Sequence, residues 1–219
     1  MSNCLRAVST PRSRILDQEE RSLLRSVGEL LGMALRAGRL YETTRYLADH
    51  DGLTGLTNHR EFQRRLCREV ARARRYGHPL SLLVVDIDHF KRINDTLGHP
   101  EGDRVLAELG RRLRRECRET DLAARYGGEE FVVLLPEQDG AAAVQVAERL
   151  RLAVERQAFP AGEGTVPVTI SAGVASLEDG MGPEELLEKA DRRMYAAKAA
   201  GRNRWCGTDP PERCRAGEG

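Results

Sequence analysis

The sequence lacks several features that would assign it to a class of protein at once. Its formal net charge is +1 although 32% of its 219 residues are charged, so no excess of one sign directs it to nucleic acid or to a membrane surface. No apolar run approaches the ~20 residues that span a bilayer, and the N-terminus has no signal-peptide core. The five cysteines are odd in number and show no spacing typical of metal ligands. We therefore expect a reduced, cytoplasmic protein without a membrane segment and without a nucleic-acid partner.

A glycine–lysine pair is also absent, which excludes the Walker phosphate loop. A chain that binds phosphates without this loop needs other groups for the purpose. Carboxylates can hold phosphates through a divalent metal ion, and lysine or arginine side chains can add positive charge. Two acidic segments of the sequence have this character.

The first acidic segment, residues 125–131, has the sequence RYGGEEF and lies between two apolar, strand-like runs. The two glycines predict a tight β-hairpin, because the turns that match strand twist need positive φ. Glu129 and Glu130 follow directly, although glutamate is depleted in strands. Carboxylates at such a tip, with no side chains on Gly127 and Gly128 to block approach, suit a cation that carries phosphates. The alternative is a surface hairpin with solvated acids.

The second acidic segment ends the run LSLLVVDID at residues 80–88. Continuous apolar residues predict a strand that is buried on both faces. A carboxylate at the end of such a strand is costly unless a charge or a metal compensates it. Asp88 has an alternative role as the N-cap of the next helix, so Asp86 is the better metal candidate. We predict that Asp86 and Glu129 share one Mg²⁺ ion, with phosphate oxygens and water completing its coordination.

Three segments together resemble a known family. The GGEEF turn, the sequence DIDHFKRINDTLGHPEGD at residues 86–103 and the sequence DGLTGLTN at residues 51–58 are similar to the GGDEF domain of diguanylate cyclases, in its GGEEF form. The similarity covers roughly residues 49–206. One departure is small: the family usually has arginine directly after the asparagine at position 58, and this chain has His59 there.

The resemblance implies an α/β fold like the palm of nucleotidyl cyclases and polymerases, with a central, mostly antiparallel sheet flanked by helices. It implies a bacterial, cytoplasmic enzyme that condenses two GTP molecules into cyclic di-GMP and releases two pyrophosphates, with Mg²⁺ or Mn²⁺ as cofactor. The catalytic residues would be Asp86, Glu129 and Glu130, with the metal at Asp86, Ile87 and Glu129. Glu130 would act as a second metal ligand or as a base.

The resemblance also assigns the nucleotide-binding positions. Those for GTP are Lys91, Asn94, His99, Asp103, Gly127, Gly128, Lys198 and Arg202. An amide and a carboxylate suit guanine, because the carboxylate accepts from N1–H and N2–H₂ of the base. The alternatives are structural: Asp103 would be the N-cap of a helix that begins at Arg104, and Lys198 and Arg202 would be cations at a helix C-terminus.

A separate site for the product is implied at Arg118 and Asp121, whose spacing resembles the family's inhibitory motif, with Arg149 as a secondary contact. Arginine can pair with phosphate or with the Hoogsteen edge of guanine. About 17 Å of strand separates this pair from the glycines, at ~3.3 Å per residue. Cyclic di-GMP bound there would inhibit the enzyme without contacting the metal of the same subunit. The alternative is an ion pair at the end of a helix.

The flanking segments give a domain plan. Residues 1–15 are expected to be disordered, residues 16–48 to be helical, and residues 207–219 to be a disordered tail. Apolar residues spaced by three and four from Leu23 to Ala48 predict a two-stranded stalk that forms a homodimer. The alternative is one amphipathic helix packed on its own domain. The stretch from Leu23 to Glu42 also resembles the last helix of a GAF sensor domain. Nearer the C-terminus, alternation from Val166 to Val174 predicts a strand with one buried face.

Two rival functions compete with the cyclase. One is a receptor that binds cyclic di-GMP only through Arg118 and Asp121, but such domains are expected to have lost the acidic hairpin or the metal carboxylate, and this chain keeps both. The other is synthesis of a mixed or adenine-containing dinucleotide. Asp103 argues against it, because a carboxylate would meet the acceptor N1 of adenine unfavourably.

Overall fold

The structure of the chain, a computed structural model, describes residues 18–162, 164–207 and 215–216. The chain divides into two units, with the boundary between Tyr46 and Leu47. The segment 1–15 that was expected to be disordered lies outside the described residues. So does most of the expected C-terminal tail, although Arg215–Ala216 forms a short strand.

The first unit is described from Gln18 onwards and contains most of the helix α1 (Gln18–Asp49). The last three residues of this helix belong to the second unit. Among its described side chains, seven large apolar ones are between 43% and 64% exposed, namely Val27, Leu30, Leu31, Met33, Leu35, Tyr46 and Leu47. Water-exposed apolar side chains in this number on one helix are typical of a surface that binds another chain.

The second unit contains the remaining helices and the strands. The helices are α2 (His59–Tyr76), α3 (Phe90–Leu97), α4 (His99–Glu116), α5 (Gly140–Glu155) and α6 (Pro183–Ala199). The strands are β1 (Leu80–Ile87), β2 (Leu122–Arg125), β3 (Glu130–Pro136), β4 (Phe159–Ala161), β5 (Gly164–Val166), β6 (Ile170–Ser176), β7 (Arg204–Cys206) and β8 (Arg215–Ala216).

Six of these strands form a central sheet in the order β2-β3-β1-β6-β7-β8, and β4 pairs with β5 in a small separate hairpin. Neighbouring strands of the central sheet are antiparallel except β6 and β7, which are parallel. The predicted fold, a mostly antiparallel sheet flanked by helices, is therefore confirmed.

The core lies on both faces of the sheet, as expected for the buried strand β1. Its residues Leu83, Val85 and Ile87 belong to the cluster that includes side chains of α4 and α5. Leu82 and Val84 belong to the cluster that includes side chains of α2 and α6. Because strand side chains alternate between faces, Asp86 falls on the face that carries α6.

Local capping explains where α2 begins and ends. The side chain of Asn58 accepts a hydrogen bond from the backbone N–H of Glu61 at 3.0 Å, as predicted for an N-cap. Gly77 ends the helix with φ at +66°. Other predicted boundaries were wrong: α4 begins at His99 and not at Arg104, and the predicted strand near the C-terminus is split into β5 and β6. β6 is buried on both faces because α5 and α6 pack on opposite sides of it.

The expectation of reduced cysteines holds for the free thiols of Cys67 and Cys117, but Cys206 is disulfide-bonded. No helix among the described residues is both long enough and apolar enough to cross a membrane.

Candidate active site

Asp86 forms an ion pair with Lys198, from the last turn of α6, at the end of β1. The helix can lie close to the sheet because β6 has glycine at position 173. A Cβ on Gly173 would lie 1.9 Å from the carbonyl oxygen of Ala190 and 2.2 Å from the backbone nitrogen of Met194. The Nζ atom of Lys198 lies 2.8 Å from Oδ2 of Asp86, and the two side chains are 22% and 4% exposed.

The second carboxyl oxygen of Asp86, Oδ1, is buried and has no hydrogen-bond partner. Burial raises the pKa of Asp86 from 3.8 to about 6, although the hydrogen bond and charge of Lys198 lower it, and the charges of Glu129 and Glu130 raise it further. A buried carboxyl oxygen without a partner costs free energy. A divalent cation prefers carboxylate oxygens, so the residues present fit a metal ion here.

The strand register brings the hairpin glutamates to Asp86. In the antiparallel pair of β1 and β3, Asp86 lies directly opposite Glu130, and side chains of opposite residues share a face of the sheet. Burial raises the pKa of Glu129, the charge of Lys198 lowers it and that of Glu130 raises it again. Asp86, Glu129, Glu130 and Lys198 therefore lie within electrostatic reach of one another.

The hairpin differs from the prediction of a tight turn whose glycines have positive φ. The backbone nitrogens of Tyr126 and Gly127 donate to the carbonyl oxygen of Glu130 at 2.9 and 3.3 Å, and neither Gly127 nor Gly128 has positive φ. The first glycine is needed because there is little space for a side chain: a Cβ on Gly127 would lie 3.0 Å from Oε2 of Glu130. A Cβ on Gly128 would meet nothing within 4 Å, so this part of the turn is open to an approaching ligand.

Arg125 ties the hairpin tip to the segment that follows α1. Its guanidinium donates to the carbonyl oxygen of Gly128 at 2.8 and 3.2 Å and to the carboxylate of Asp51 at 3.3 Å. Asp51 also accepts hydrogen bonds at 2.8 Å from the backbone and the hydroxyl of Thr54. The sequence analysis missed this contact, because nothing local links positions 51 and 125.

Asp191 is a further carboxylate that the sequence analysis missed. Burial raises its pKa and the charge of Lys198 lowers it, which places it near the ion pair with Asp86. It lines a cavity of about 250 Å³ together with Tyr126 and Glu130. One feature of the sequence could have identified Asp191. It lies seven residues before Lys198 on α6, and residues two turns apart share a helix face.

Asp88 does not cap α3, and the N-cap position is held by His89, which makes no side-chain capping bond and has φ of +58°. The carboxylate of Asp88 instead accepts hydrogen bonds from the hydroxyls of Thr169 and Ser171, both at 2.7 Å, and from the backbone nitrogen of Asn203 at 2.9 Å. Because three donors satisfy it, Asp88 is a structural carboxylate.

The candidate guanine-binding residues lie on α3 and α4. Asn94 is half-buried, and a Cβ on Gly102 would lie 1.8 Å from its Oδ1 atom, so Gly102 is required for the amide to lie where it does. Asp103 is exposed and lies inside α4, whose N-cap residue is Gly98, so the capping alternative is wrong. Lys91 on α3 and His99 at the start of α4 are also exposed.

The predicted phosphate-binding pair lies at the C-terminal end of α6. Lys198 is the basic residue of the last helical turn. Arg202 lies in the turn before β7, is half-buried and has φ of +64°. Within the described residues its guanidinium makes no ion pair, whereas Lys198 is paired with Asp86.

The predicted product-binding residues lie around the end of α4. The carboxylate of Asp121 accepts from the backbone nitrogen of Arg118 and from the side chain of Gln138, both at 2.8 Å. The Arg118 guanidinium is exposed and has no ion pair in the described part of the chain, so the helix-end ion pair is not formed. Arg149 is paired with Glu116 at 2.9 Å.

Cys117 lies within electrostatic reach of this group. Burial, the charge of Asp121 and that of Glu116 raise the pKa of its thiol to about 12, and the charge of Arg149 lowers it. Asp121 and Arg149 therefore lie near the same half-buried thiol.

Among the described residues, no group of three or more histidine, cysteine, aspartate or glutamate side chains is arranged to hold a metal ion. The ligand set expected from the sequence has only two such side chains, Asp86 and Glu129, together with Ile87, whose apolar side chain leaves its main-chain carbonyl as the donor. Such a site depends on oxygens from substrate and water, which is usual for Mg²⁺ in phosphate chemistry.

Comparison with known proteins supports the resemblance. Residues 48–204 match the family model described as diguanylate cyclase, GGDEF domain. The chain is 47% identical over 163 residues to diguanylate cyclase DgcP of Pseudomonas aeruginosa and 49% identical over 160 residues to response regulator PleD of Caulobacter vibrioides. These alignments cover 74% and 72% of this chain but only 24% and 35% of the relatives, so the chain matches a minor part of their length.

Among solved structures, the coiled coil and GGDEF domain of DgcB from Caulobacter crescentus, in complex with c-di-GMP, superposes with a TM-score of 0.78 at 32% sequence identity. The superposition covers 85% of this chain and 100% of that one. The family model spans well over half of the sequence, and its match begins and ends within two residues of the limits expected from the motifs. The chain therefore belongs to the GGDEF domain family.

Proposed function

We propose that the chain is a metal-dependent diguanylate cyclase. In the proposed reaction the 3′-hydroxyl of one GTP attacks the α-phosphorus of a second, pyrophosphate leaves, and a second such step closes cyclic di-GMP. The observation that carries the proposal is the partnerless, buried Oδ1 atom of Asp86, at the point where Glu129, Glu130 and Lys198 also converge. The family membership and the relatives named as diguanylate cyclases support it.

The residues that would hold Mg²⁺ or Mn²⁺ are Asp86, Glu129 and the main chain at Ile87. When bound, the metal supplies charge neutralisation at the phosphates and orients the attacking oxygen. Glu130 lies directly opposite Asp86 in the sheet and serves the same centre, as a second metal ligand or as the base for the 3′-hydroxyl. Either role needs its carboxylate ionised.

Cationic side chains would bind the triphosphate. Lys198 and Arg202 lie at the end of α6, and Lys91 lies on α3. Gly127 and Gly128 leave the hairpin without side chains, so phosphate oxygens can approach its backbone. Arginine suits this role because its planar guanidinium matches phosphate geometry with two parallel hydrogen bonds.

Guanine would be recognised by Asn94 and Asp103, with His99 beside them at the start of α4. The carboxylate of Asp103 accepts from N1–H and N2–H₂ of guanine, whereas adenine presents an acceptor at N1. The tight packing of Asn94 on Gly102 fixes the amide for its contact with the base. We therefore propose GTP as the substrate and exclude a preference for ATP on chemical grounds.

A second subunit is part of the proposal. If each domain holds one GTP, two domains must face each other for the two phosphodiester bonds to form. The exposed apolar residues of α1 suit a dimeric stalk, and the similar DgcB structure contains a coiled coil together with its GGDEF domain. Such a stalk raises the effective concentration of one domain near the other.

Feedback inhibition would act through Arg118, Asp121 and Arg149. The Arg118 guanidinium is exposed and has no ion pair among described residues, so it can take a phosphate or a guanine edge. The hydrogen bond from Gln138 fixes Asp121. Product bound there would cross-link domains in an unproductive arrangement.

The experiment that tests the proposal is a product assay with purified chain, Mg²⁺ and an equimolar mixture of GTP and ATP, analysed by chromatography and mass spectrometry. We expect cyclic di-GMP and pyrophosphate, with the rate per protein rising with protein concentration as dimers form. Glu129→Gln and Asp86→Asn should each lower the rate at least about 100-fold, because even the outer-shell partners of metal ligands contribute about 10–100-fold. Binding of cyclic di-GMP without any turnover would instead support a receptor, and adenine in the product would support the mixed dinucleotide.

A further inference from the structure

The turn between α6 and β7 has an unusual backbone. Three consecutive residues have left-handed φ, namely Gly201 at +115°, Arg202 at +64° and Asn203 at +48°. Glycine adopts this region freely and asparagine tolerates it, but arginine is strained there. Strained backbone persists only where surrounding contacts over-determine it, and such strain is concentrated at functional sites.

Asn203 supplies the contacts that fix this turn. Its backbone nitrogen donates to Oδ2 of Asp88 at 2.9 Å. Its side-chain Nδ2 donates to Oε1 of Glu155 at 2.6 Å, and its Oδ1 accepts from the guanidinium of Arg151 at 2.9 Å. Asn203 is therefore bound by groups at the end of β1 and on α5, two elements that are far away from it in sequence.

The partners of Asn203 are themselves well anchored. The Arg151 side chain is 1% exposed and is bound by Glu148 and Glu155 at 2.7 to 2.9 Å. The Asp88 carboxylate is tied to β6 by the hydroxyls of Thr169 and Ser171. A buried arginine between two glutamates is costly to desolvate, and such groups are weak evidence for stability. We therefore interpret the ion pairs of Arg151 as contacts that define a single conformation of this region.

The turn carries Arg202, which the proposed function assigns to the triphosphate. The Arg202 nitrogen donates to the carbonyl of Ala197 at 3.1 Å, and its carbonyl accepts from Nε of Arg204 at 2.9 Å. Its backbone is thus fixed on both sides while its guanidinium has no ion pair within the described residues. A fixed backbone lowers the conformational entropy that an arginine loses when it binds a ligand.

We propose that Asp88, Arg151 and Asn203 are positioning residues, which lock the 201–203 turn so that Arg202 meets the triphosphate of the nucleotide. This inference rests on the proposed function for the role of Arg202 itself. Asp88, Arg151 and Asn203 lie outside the proposed metal and nucleotide contacts. They nevertheless set the affinity for the triphosphate, and they act through Arg202 alone.

A double-mutant cycle tests this. Equilibrium binding of 3′-deoxy-GTP, which cannot cyclise, is measured by calorimetry with Mg²⁺ for the wild type, Asn203→Ala, Arg202→Ala and the double variant. We expect about tenfold weaker binding for Asn203→Ala, a loss at least as large for Arg202→Ala, and no further loss in the double variant. Non-additivity of this kind reports coupling between two residues, whereas a general loss of folding would weaken binding in both backgrounds.

Further variants separate positioning from folding. Asn203→Gly keeps the left-handed backbone without the side-chain contacts, so it should recover part of the affinity that Asn203→Ala loses. It also replaces Asn203→Ala in the cycle if that variant does not fold. Arg192→Ala removes an exposed arginine of α6 that lies outside this set of contacts, and it should bind as the wild type does.

The outcomes are distinguishable. Unchanged binding in Asn203→Ala and Asn203→Gly, or losses that multiply in the double variant, would overturn the positioning role while the proposed function stands. Unchanged binding in Arg202→Ala would instead remove the triphosphate assignment on which the inference rests.

Discussion

The ammonium nitrogen of Lys198 lies 2.8 Å from one carboxyl oxygen of Asp86, while the other oxygen of the same carboxylate is buried without a partner. The lysine therefore compensates part of the charge that the metal would compensate. Because both cations would be attracted to one carboxylate, they would compete, and a lysine displaced by the metal could contact phosphate oxygens instead.

Removal of the Lys198 charge should strengthen binding of the metal alone. We expect Lys198→Met to bind Mn²⁺ about tenfold more tightly without nucleotide, equal to ~1.4 kcal/mol, and to bind GTP more weakly. Titration by electron paramagnetic resonance measures free Mn²⁺ directly. Lys189→Met is the matched control, because Lys189 is on the same helix but pairs with Glu178. Equal or weaker Mn²⁺ binding in Lys198→Met would contradict the competition.

The raised pKa of Asp86 predicts a pH dependence of stability in the metal-free protein. The pKa in the folded state, about 6, exceeds the unfolded value of 3.8. The resulting stabilisation is therefore present below pH 3.8 and is lost as the pH rises through 6. Relative to Asp86→Asn, the free energy of unfolding of the wild type should fall by about 1 kcal/mol between pH 5 and 7.

Urea unfolding in the presence of a chelator measures this difference. The two proteins differ only at position 86, so the comparison isolates the contribution of Asp86. A difference between wild type and Asp86→Asn that stays constant from pH 5 to 7 would mean that Asp86 is not desolvated as the structure shows.

Substitution of Gly102 should weaken GTP binding through Asn94. A Cβ at position 102 would lie 1.8 Å from Oδ1 of Asn94, so Gly102→Ala must displace the amide. We expect the KM for GTP to rise about tenfold, which corresponds to ~1.4 kcal/mol. Gly164→Ala is the control, because the nearest atom to its Cβ lies 4.0 Å away. Steady-state kinetics with an unchanged KM for Gly102→Ala would remove Asn94 from the guanine site.

Feedback inhibition should depend on Arg118 and, through Asp121, on Gln138. Arg118→Ala should abolish inhibition by added cyclic di-GMP while the initial rate persists. Gln138→Leu should weaken inhibition severalfold, because the 2.8 Å hydrogen bond that orients Asp121 is lost. Arg115→Ala, an exposed arginine three residues earlier, is the control. Inhibition that remains intact in Arg118→Ala would place the regulatory site elsewhere.

Local patterns predicted much of this structure and long-range contacts did not. The apolar run predicted the buried strand β1 and with it the location of Asp86, because burial on both faces leaves a continuous apolar signal. The cap of α2 at Asn58 follows from one side chain and the next turn. In contrast, Asp88 resembled a helix cap in sequence, but its partners Thr169, Ser171 and Asn203 lie 81 to 115 positions away.

The same reason explains the other differences. The Asp103 capping alternative failed because Pro100, near the start of α4, suits the first helical turn, and the helix begins before it at His99. The hairpin glycines were predicted for positive φ, whereas Gly127 provides space beside Glu130. Asp191 and the contacts of Asn203 depend on how α5 and α6 pack against the sheet, which no short pattern encodes.

The central claim is that carboxylates from two strands hold one cation at the nucleotide. Anomalous diffraction from crystals grown with Mn²⁺ and 3′-deoxy-GTP tests it most directly. We predict an anomalous peak about 2 Å from carboxyl oxygens of both Asp86 and Glu129, with Lys198 turned away from Asp86. Bound nucleotide with its manganese in contact with neither carboxylate, and with the ion pair of Lys198 and Asp86 intact, would contradict the account.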